Sequence, residues 1–175
     1  MANINDFKAK LAGGGARANQ FKVTMPFPGY SQVGGEIEEL AFLCKTTQLP
    51  AMNIPSFTVP FRGRQLKMAG DRTFDVWTVT ILNDTDFAIR NPMERWMNGM
   101  NAHSANTGLS TPIAYEADLL VEQLDRSGDT LKKYTFRGSY PQDMSPIDLN
   151  YGTNDEIERF TVTFAYQYFE TDTTT

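Results

Sequence analysis

The chain has one cysteine, one histidine and no long apolar run among its 175 residues. A lone Cys44 excludes an intramolecular disulfide and any thiolate cluster for zinc, since both need further sulfurs. His103 stands in a polar stretch, residues 101–108, with no second histidine or cysteine to complete a nitrogen or sulfur metal site. The same shortage removes the base of a Ser–His hydrolase. No segment approaches the roughly 18–20 apolar residues that cross a bilayer. The opening Met1 to Lys8 has neither the basic nor the apolar region of a secretory signal, so folding in the cytoplasm where the chain is made is expected. Positive charge is also scarce: 16 Lys and Arg against 21 Asp and Glu leave a net charge of −5. That sign is wrong for a protein that grips phosphates by counterion release, so DNA meeting this surface should slide rather than stick.

What is present is an ordinary globular composition, 41% hydrophobic and 21% charged, in a length that fits one domain over residues 1–175. Period-two alternation dominates. Phe21, Val23 and Met25 share one face of a strand over 19–25, and residues 40–47 read as a second strand, apolar on both faces. Residues 54–68 read as two strands joined near Arg62-Gly63-Arg64, with Phe57, Val59 and Phe61 opposite Leu66 and Met68. Arg62, Arg64 and Lys67 sit at its exposed tip. A strand over 73–83 follows. The C-terminal third predicts a long hairpin, 113–125 and 130–140 around a turn at 126–129. A last strand over 155–169 places Phe160, Val162, Phe164, Tyr166 and Tyr168 on one face, each worth about 1.5–3 kcal/mol when buried. Residues 170–175 read as a frayed tail.

Helical periodicity is rare. Ile4, Phe7 and Leu11 make a short amphipathic turn that Gly13-Gly14-Gly15 breaks, leaving residues 1–18 as a flexible arm. Residues 84–102 form the one long helix, with Asp84 or Asp86 as its cap and Met93, Trp96, Met97 and Met100 as an apolar stripe packed on the sheet. Pro92 requires that regular helix start close to Asn91 or kink there. The expected fold is mainly β, a sandwich or small barrel flanked by one helix.

Candidate chemistry is thin. Glu36, Glu38 and Glu39, or Asp84 and Asp86, can be imagined as a glycosidase pair, but close spacing on a loop or cap suits solvation and capping. Gly70-Asp71-Arg72-Thr73 lacks the lysine of a phosphate-binding loop, and Asp71 with Arg72 reads as a structural pair at a turn or subunit boundary. Trp77, Tyr115, Tyr140 and Tyr151 would serve the alternative reading, a monomeric lectin-like β-sandwich, as a stacking platform. Their alternation along strands suits a core better. No catalysis and no cofactor are expected.

Five segments carry a family resemblance. They are Asn19 to Val23, Cys44 to Pro50, Lys67 to Phe74, Trp77 to Asp84 and Asn154 to Phe160, in consistent order over residues 19–169. Together they resemble the tail tube proteins of contractile-tailed, T4-like bacteriophages, and in architecture the tubes of type VI secretion and contractile bacteriocins. The resemblance implies a virion protein that forms six-membered rings, their inner sheets joined into a continuous β-barrel around a channel. Rings would stack within a sheath for DNA ejection, with sheath, baseplate, tail terminator, tape measure protein and DNA as partners. A phage-derived injection device is the alternative setting. In such a family residues 54–68 match a projecting hairpin that contacts the adjacent ring, where Arg62, Arg64 and Lys67 would meet acidic groups. Glu116, Asp118 and Glu122 are candidates for the channel wall, with a plain solvated face as the other placement. The arm before Asn19 and the loop over 27–36 depart from the family pattern as extensions on the outside or between rings.

Overall fold

The computed structural model describes residues 3–11, 15–32, 34 and 36–174, with the backbone alone at Glu36, Glu38 and Glu39. The expected break at Gly13-Gly14 and parts of the 27–36 loop lie outside these residues. The elements are α1 (Ile4–Lys10), β1 (Phe21–Thr24), α2 (Glu36–Leu43), β2 (Cys44–Thr47), β3 (Ser56–Phe61), β4 (Arg64–Ala69), β5 (Trp77–Leu82), α3 (Arg90–Met100), α4 (Pro112–Tyr115), β6 (Ala117–Leu124), β7 (Thr130–Met144), β8 (Arg159–Ala165) and β9 (Tyr168–Thr171).

Seven strands form one sheet in the order β1-β6-β7-β8-β5-β2, with β9 also on β7; β3 and β4 stand apart as a two-stranded hairpin. The sheet folds upon itself at β7. Its first half pairs with β6 and β9, its last residues, Tyr140 to Met144, with β8. The bend falls where Gly138 takes a φ of 60° and the register slips between Pro141 and Asp143. Pro141 was expected beyond the strand; it is carried inside because that bulge needs no N–H from it. The two limbs close on an aromatic core. Trp77 of β5 stacks on Phe136 of β7 at 4.6 Å, Phe164 of β8 lies beside Trp77, and Phe169 meets Phe136 and Phe74. Val79, Ile81, Leu119, Val121, Phe160 and Val162 complete it, all buried as alternation requires.

α3 lays Met93 and Trp96 fully into this core, with Met100 at its margin, as the stripe predicts, but Met97 turns out of the core to a surface groove beside Arg95 and Asn98, and Pro92 is buried instead. It starts at Arg90, and no side chain caps it. Asp84 instead closes the turn before it, accepting from Ala88 N at 2.9 Å. The loop from Phe27 is anchored on α3: Phe27 packs edge-on to Trp96, the Tyr30 hydroxyl donates to Trp96 O at 3.1 Å, and Arg95 Nε donates to Ser31 O at 2.9 Å.

Four further expectations are corrected. Residues 40–43 are the end of α2, not strand, and Leu40 is fully buried. Residues 112–115 are a short helix with Pro112 in its first turn, so β6 begins only at Ala117. The last strand breaks at Tyr166-Gln167, where Gln167 N donates to Arg137 O, and the chain changes limbs. The break shifts the facing set by one, so Phe169 is buried and Tyr168 is exposed. Residues 170–174 are not frayed: Glu170 and Thr171 pair with β7, and Thr174 turns back to accept from Thr171 N at 2.8 Å.

Candidate assembly surfaces

β3 and β4 are joined by Arg62 and Gly63, with φ of 45° and 80°, the pair of positive values of a type I′ turn that matches strand twist. Pairing is in full register, Ser56 with Ala69 through Phe61 with Arg64. One face therefore carries Phe57, Val59, Phe61, Leu66 and Met68, and every one of them is exposed. Two isolated strands are marginal in water, and an apolar face of this extent marks a surface made for a partner. The base is held by Gly70 N donating to Pro55 O at 2.7 Å and a bridge between Asn53 and Thr73. Arg62 lies over the Phe61 ring at 5.4 Å. Arg64 follows the turn on the apolar face, while Lys67, opposite Thr58, projects from the other. Asp71 and Arg72 are exposed in the return to β5, and among the described residues no ion pair joins them.

A second surface is the outward face of the limb β1-β6-β7-β9. Lys22, Glu122 and Lys133 are direct cross-strand neighbours over three strands. Arg137 bridges Asp118 at 2.6 Å and Glu170 at 2.8 Å. Asp118, then Glu170, holds that guanidinium charged by hydrogen bonding, raising its pKa. Asp118 also accepts from Gly138 N at 3.1 Å. Glu122 accepts from the Thr130 hydroxyl at 3.3 Å, and Glu116, at the end of α4, from Gln167 Nε2 at 3.3 Å. Asp118 and Glu122 thus share one sheet face; Glu116 stands at its margin.

A third surface is residues 145–158, between β7 and β8. It exposes Leu149, Tyr151 and Ile157 with Asp148, Asp155 and Glu156, around a cavity of about 530 Å³. The expected last strand, 155–169, took in Asp155 to Glu158, but β8 begins only at Arg159 and these residues belong to the loop; the missed signal was charge, since residues 145–158 hold four carboxylates and no cation. α1 is the fourth. Ile4, Phe7 and Leu11 are exposed and none of its residues is buried.

The residues named for other roles are scattered. Trp77 is buried and donates through Nε1 to Gln48 O at 2.9 Å, Tyr115 meets Tyr140 edge-on at 5.8 Å, and Tyr151 is in the 145–158 loop, so no stacking platform forms. His103 is exposed, its backbone N donating to Asn98 Oδ1. Cys44 is partly buried at the β2 edge, and desolvation pushes its thiol up to about 12.

The family model described as phage tail tube protein matches residues 16–172. The tail tube protein of Enterobacteria phage T4 is 32% identical over 164 residues, 93% of this chain and 96% of that one. The tail tube protein of Serratia phage KSP90 is 29% identical over 168 residues, 95% of each. Among solved structures, a chain of the anti-feeding prophage baseplate superposes with a TM-score of 0.63 at 13% identity, over 89% of this chain and 94% of that one. At that identity the superposition speaks for the fold, while the match over nearly the whole length speaks for descent. With its folded-over sheet, its detached apolar hairpin and these relatives, the chain belongs to the phage tail tube protein family.

Proposed function

We propose that six copies of this chain form a ring and that rings stack into the tube that carries DNA inside a contractile sheath, from a baseplate that nucleates growth. The observation that carries this reading is the β3–β4 hairpin, ordered in register yet exposed along its apolar face, in a tail tube protein. Its role is structural rather than catalytic. Electron microscopy of the purified protein across a concentration series tests it: rings or hollow tubes with six-fold symmetry are expected, and monomers at every concentration, even with a baseplate seed, overturn it.

The channel wall is the outward face of β1-β6-β7-β9. Lys22, Lys133 and Arg137 balance Asp118, Glu122 and Glu170 there, so the face has no cationic excess to trade counterions with phosphate, and DNA or a tape measure protein passes without ion pairs to break. A cysteine replacing Glu122 should react with a polymer-linked maleimide in free subunits and be shielded in tubes. Equal labelling in both states moves the wall elsewhere.

A further inference from the structure

β5 sets two ends of the molecule. At its Trp77 end lie Thr47, paired near Val79, and Ala165, beside Trp77's partner Phe164; here the chain leaves for the hairpin and returns. At its Leu82 end lies Arg159, which closes the 145–158 loop; Met144, which opens it, is paired with Val162 at the level of Val79, and the chain runs from there toward the Leu82 end, Ser145 N donating to Thr161 O at 2.8 Å. Asn83 ties that loop to the end of β5, donating to Glu158 through backbone and side chain at 2.8 and 2.9 Å. β5 has six residues, so the chain's return from the hairpin and the loop's tie at Asn83 are separated by a strand of roughly 17–20 Å.

The two ends carry opposite charge. Residues 56–69 contain Arg62, Arg64 and Lys67 and no carboxylate; residues 145–158 contain Asp148, Asp155, Glu156 and Glu158, against one cation, Arg159, on the rim of the same cavity. Neither Arg62 and Arg64 nor Asp155 and Glu156 have an ion-pair partner among the described residues. Apolar side chains accompany both sets: Phe61 and Leu66 at the tip, Leu149 and Ile157 around the cavity. We infer that the hairpin of one copy seats its basic tip on the acidic 145–158 loop of a second copy, head to tail.

Two unlike patches at opposite ends make a heterologous contact, which repeats along an axis instead of closing into a dimer. Charge also fixes direction. Two hairpins facing each other repel, as do two loops, so only one polarity of stacking is attractive. The inference rests on the tube reading and adds to it the surface that receives the hairpin.

The test compares Arg62→Glu with Arg64→Glu, Asp155→Lys with Glu156→Lys, and all four changes in one chain, scored by tube length in negative stain, with melting curves to confirm folding. Each reversed pair alone should abolish stacking of rings. The fourfold chain should recover tubes and should not extend wild-type tubes, whose exposed ends carry unswapped charges. If the loop reversal stacks normally while the hairpin reversal does not, the loop is not the receiver and the inference falls with the tube reading intact. If both block stacking and the fourfold chain does not recover, the patches do not meet and the inference again falls. A wild-type chain that makes no tube overturns the tube reading itself. Where lysine impairs folding, Asp155→Asn with Glu156→Gln takes its place, and stacking unchanged from wild type counts against the inference.

Discussion

Cys44 lies where α2 passes into β2, its thiol within 3.9 Å of Thr46 O and partly withdrawn from water. Because burial favours the neutral form, the folded chain keeps this proton between pH 9.0 and about 12, where an unfolded chain has lost it. More protons bound in the folded state mean that stability falls as pH rises through that window, and none of this contribution is lost below it. Urea unfolding below and within the window should show a decline that Cys44→Ala reduces but does not abolish, because burial also raises the Tyr30 and Tyr166 hydroxyls from their usual 10.0. Alkylation of the native thiol at neutral pH should be much slower than in urea. Gly138 is a second single-residue constraint. Its φ is 60°, and a Cβ there would lie 2.9 Å from Gln167 Cγ and 3.1 Å from Glu116 Oε2. Gly138→Ala should therefore destabilise the fold by about 1–2 kcal/mol from the left-handed backbone alone, read as a lower melting temperature.

Among the elements, α1 is the least attached. Its capping box, Asn3 with Asp6, is complete, but no residue of it is buried. The first firm tie to the body is at Arg17, whose carbonyl accepts from Gln123 Nε2 at 2.7 Å. Deleting residues 1–15 should leave the melting temperature unchanged and weaken stacking of rings, compared by tube length at equal concentration; normal tubes would remove the arm from assembly. β7 is the opposite case. It serves both limbs of the sheet, and Arg137 ties it to β6 and β9 through Asp118 and Glu170. Long alternation over 130–140 announced the strand. Its passage through Pro141 was hidden, because a proline after a strand reads equally as its end or as a bulge, and only the register against β8 distinguishes them.

For the whole molecule, a net charge of −5 is unevenly placed, basic on the hairpin and acidic on the 145–158 loop. Stacking driven by such exposed charges should weaken with ionic strength as the screening length contracts from about 10 Å at 0.1 M to about 3 Å at 1 M. Growth of tubes followed by light scattering across that range checks this. Persistence of full-length tubes at high salt would assign the contact to the apolar face of the hairpin instead.

Local chemistry was enough to specify much of this protein. The hairpin was legible because alternating Phe57, Val59 and Phe61, a turn of Arg62-Gly63 and alternating Leu66 and Met68 are satisfied within 14 residues, Ser56–Ala69. The α3 stripe and the inward sets of β5 and β8 were legible for the same reason, and the ordered segments carried the family. Tertiary structure alone decided the rest. Residues 40–43 are apolar enough for a strand; in the fold they are the end of α2, with Leu40 in the core. The break at Tyr166-Gln167 exists because the chain crosses from one limb of the sheet to the other, exchanging Tyr168 for Phe169 at the core. Asp118 and Glu122 share a face with Lys22, Lys133 and Arg137 only through pairing between strands far apart in sequence. Likewise, the chain's return from residues 56–69 and its tie to residues 145–158 fall at opposite ends of β5 through the antiparallel register of β5 and β8. A period reports which side of a strand is wet; which strands lie beside it, and what waits at either end, is set by contacts that no local pattern contains.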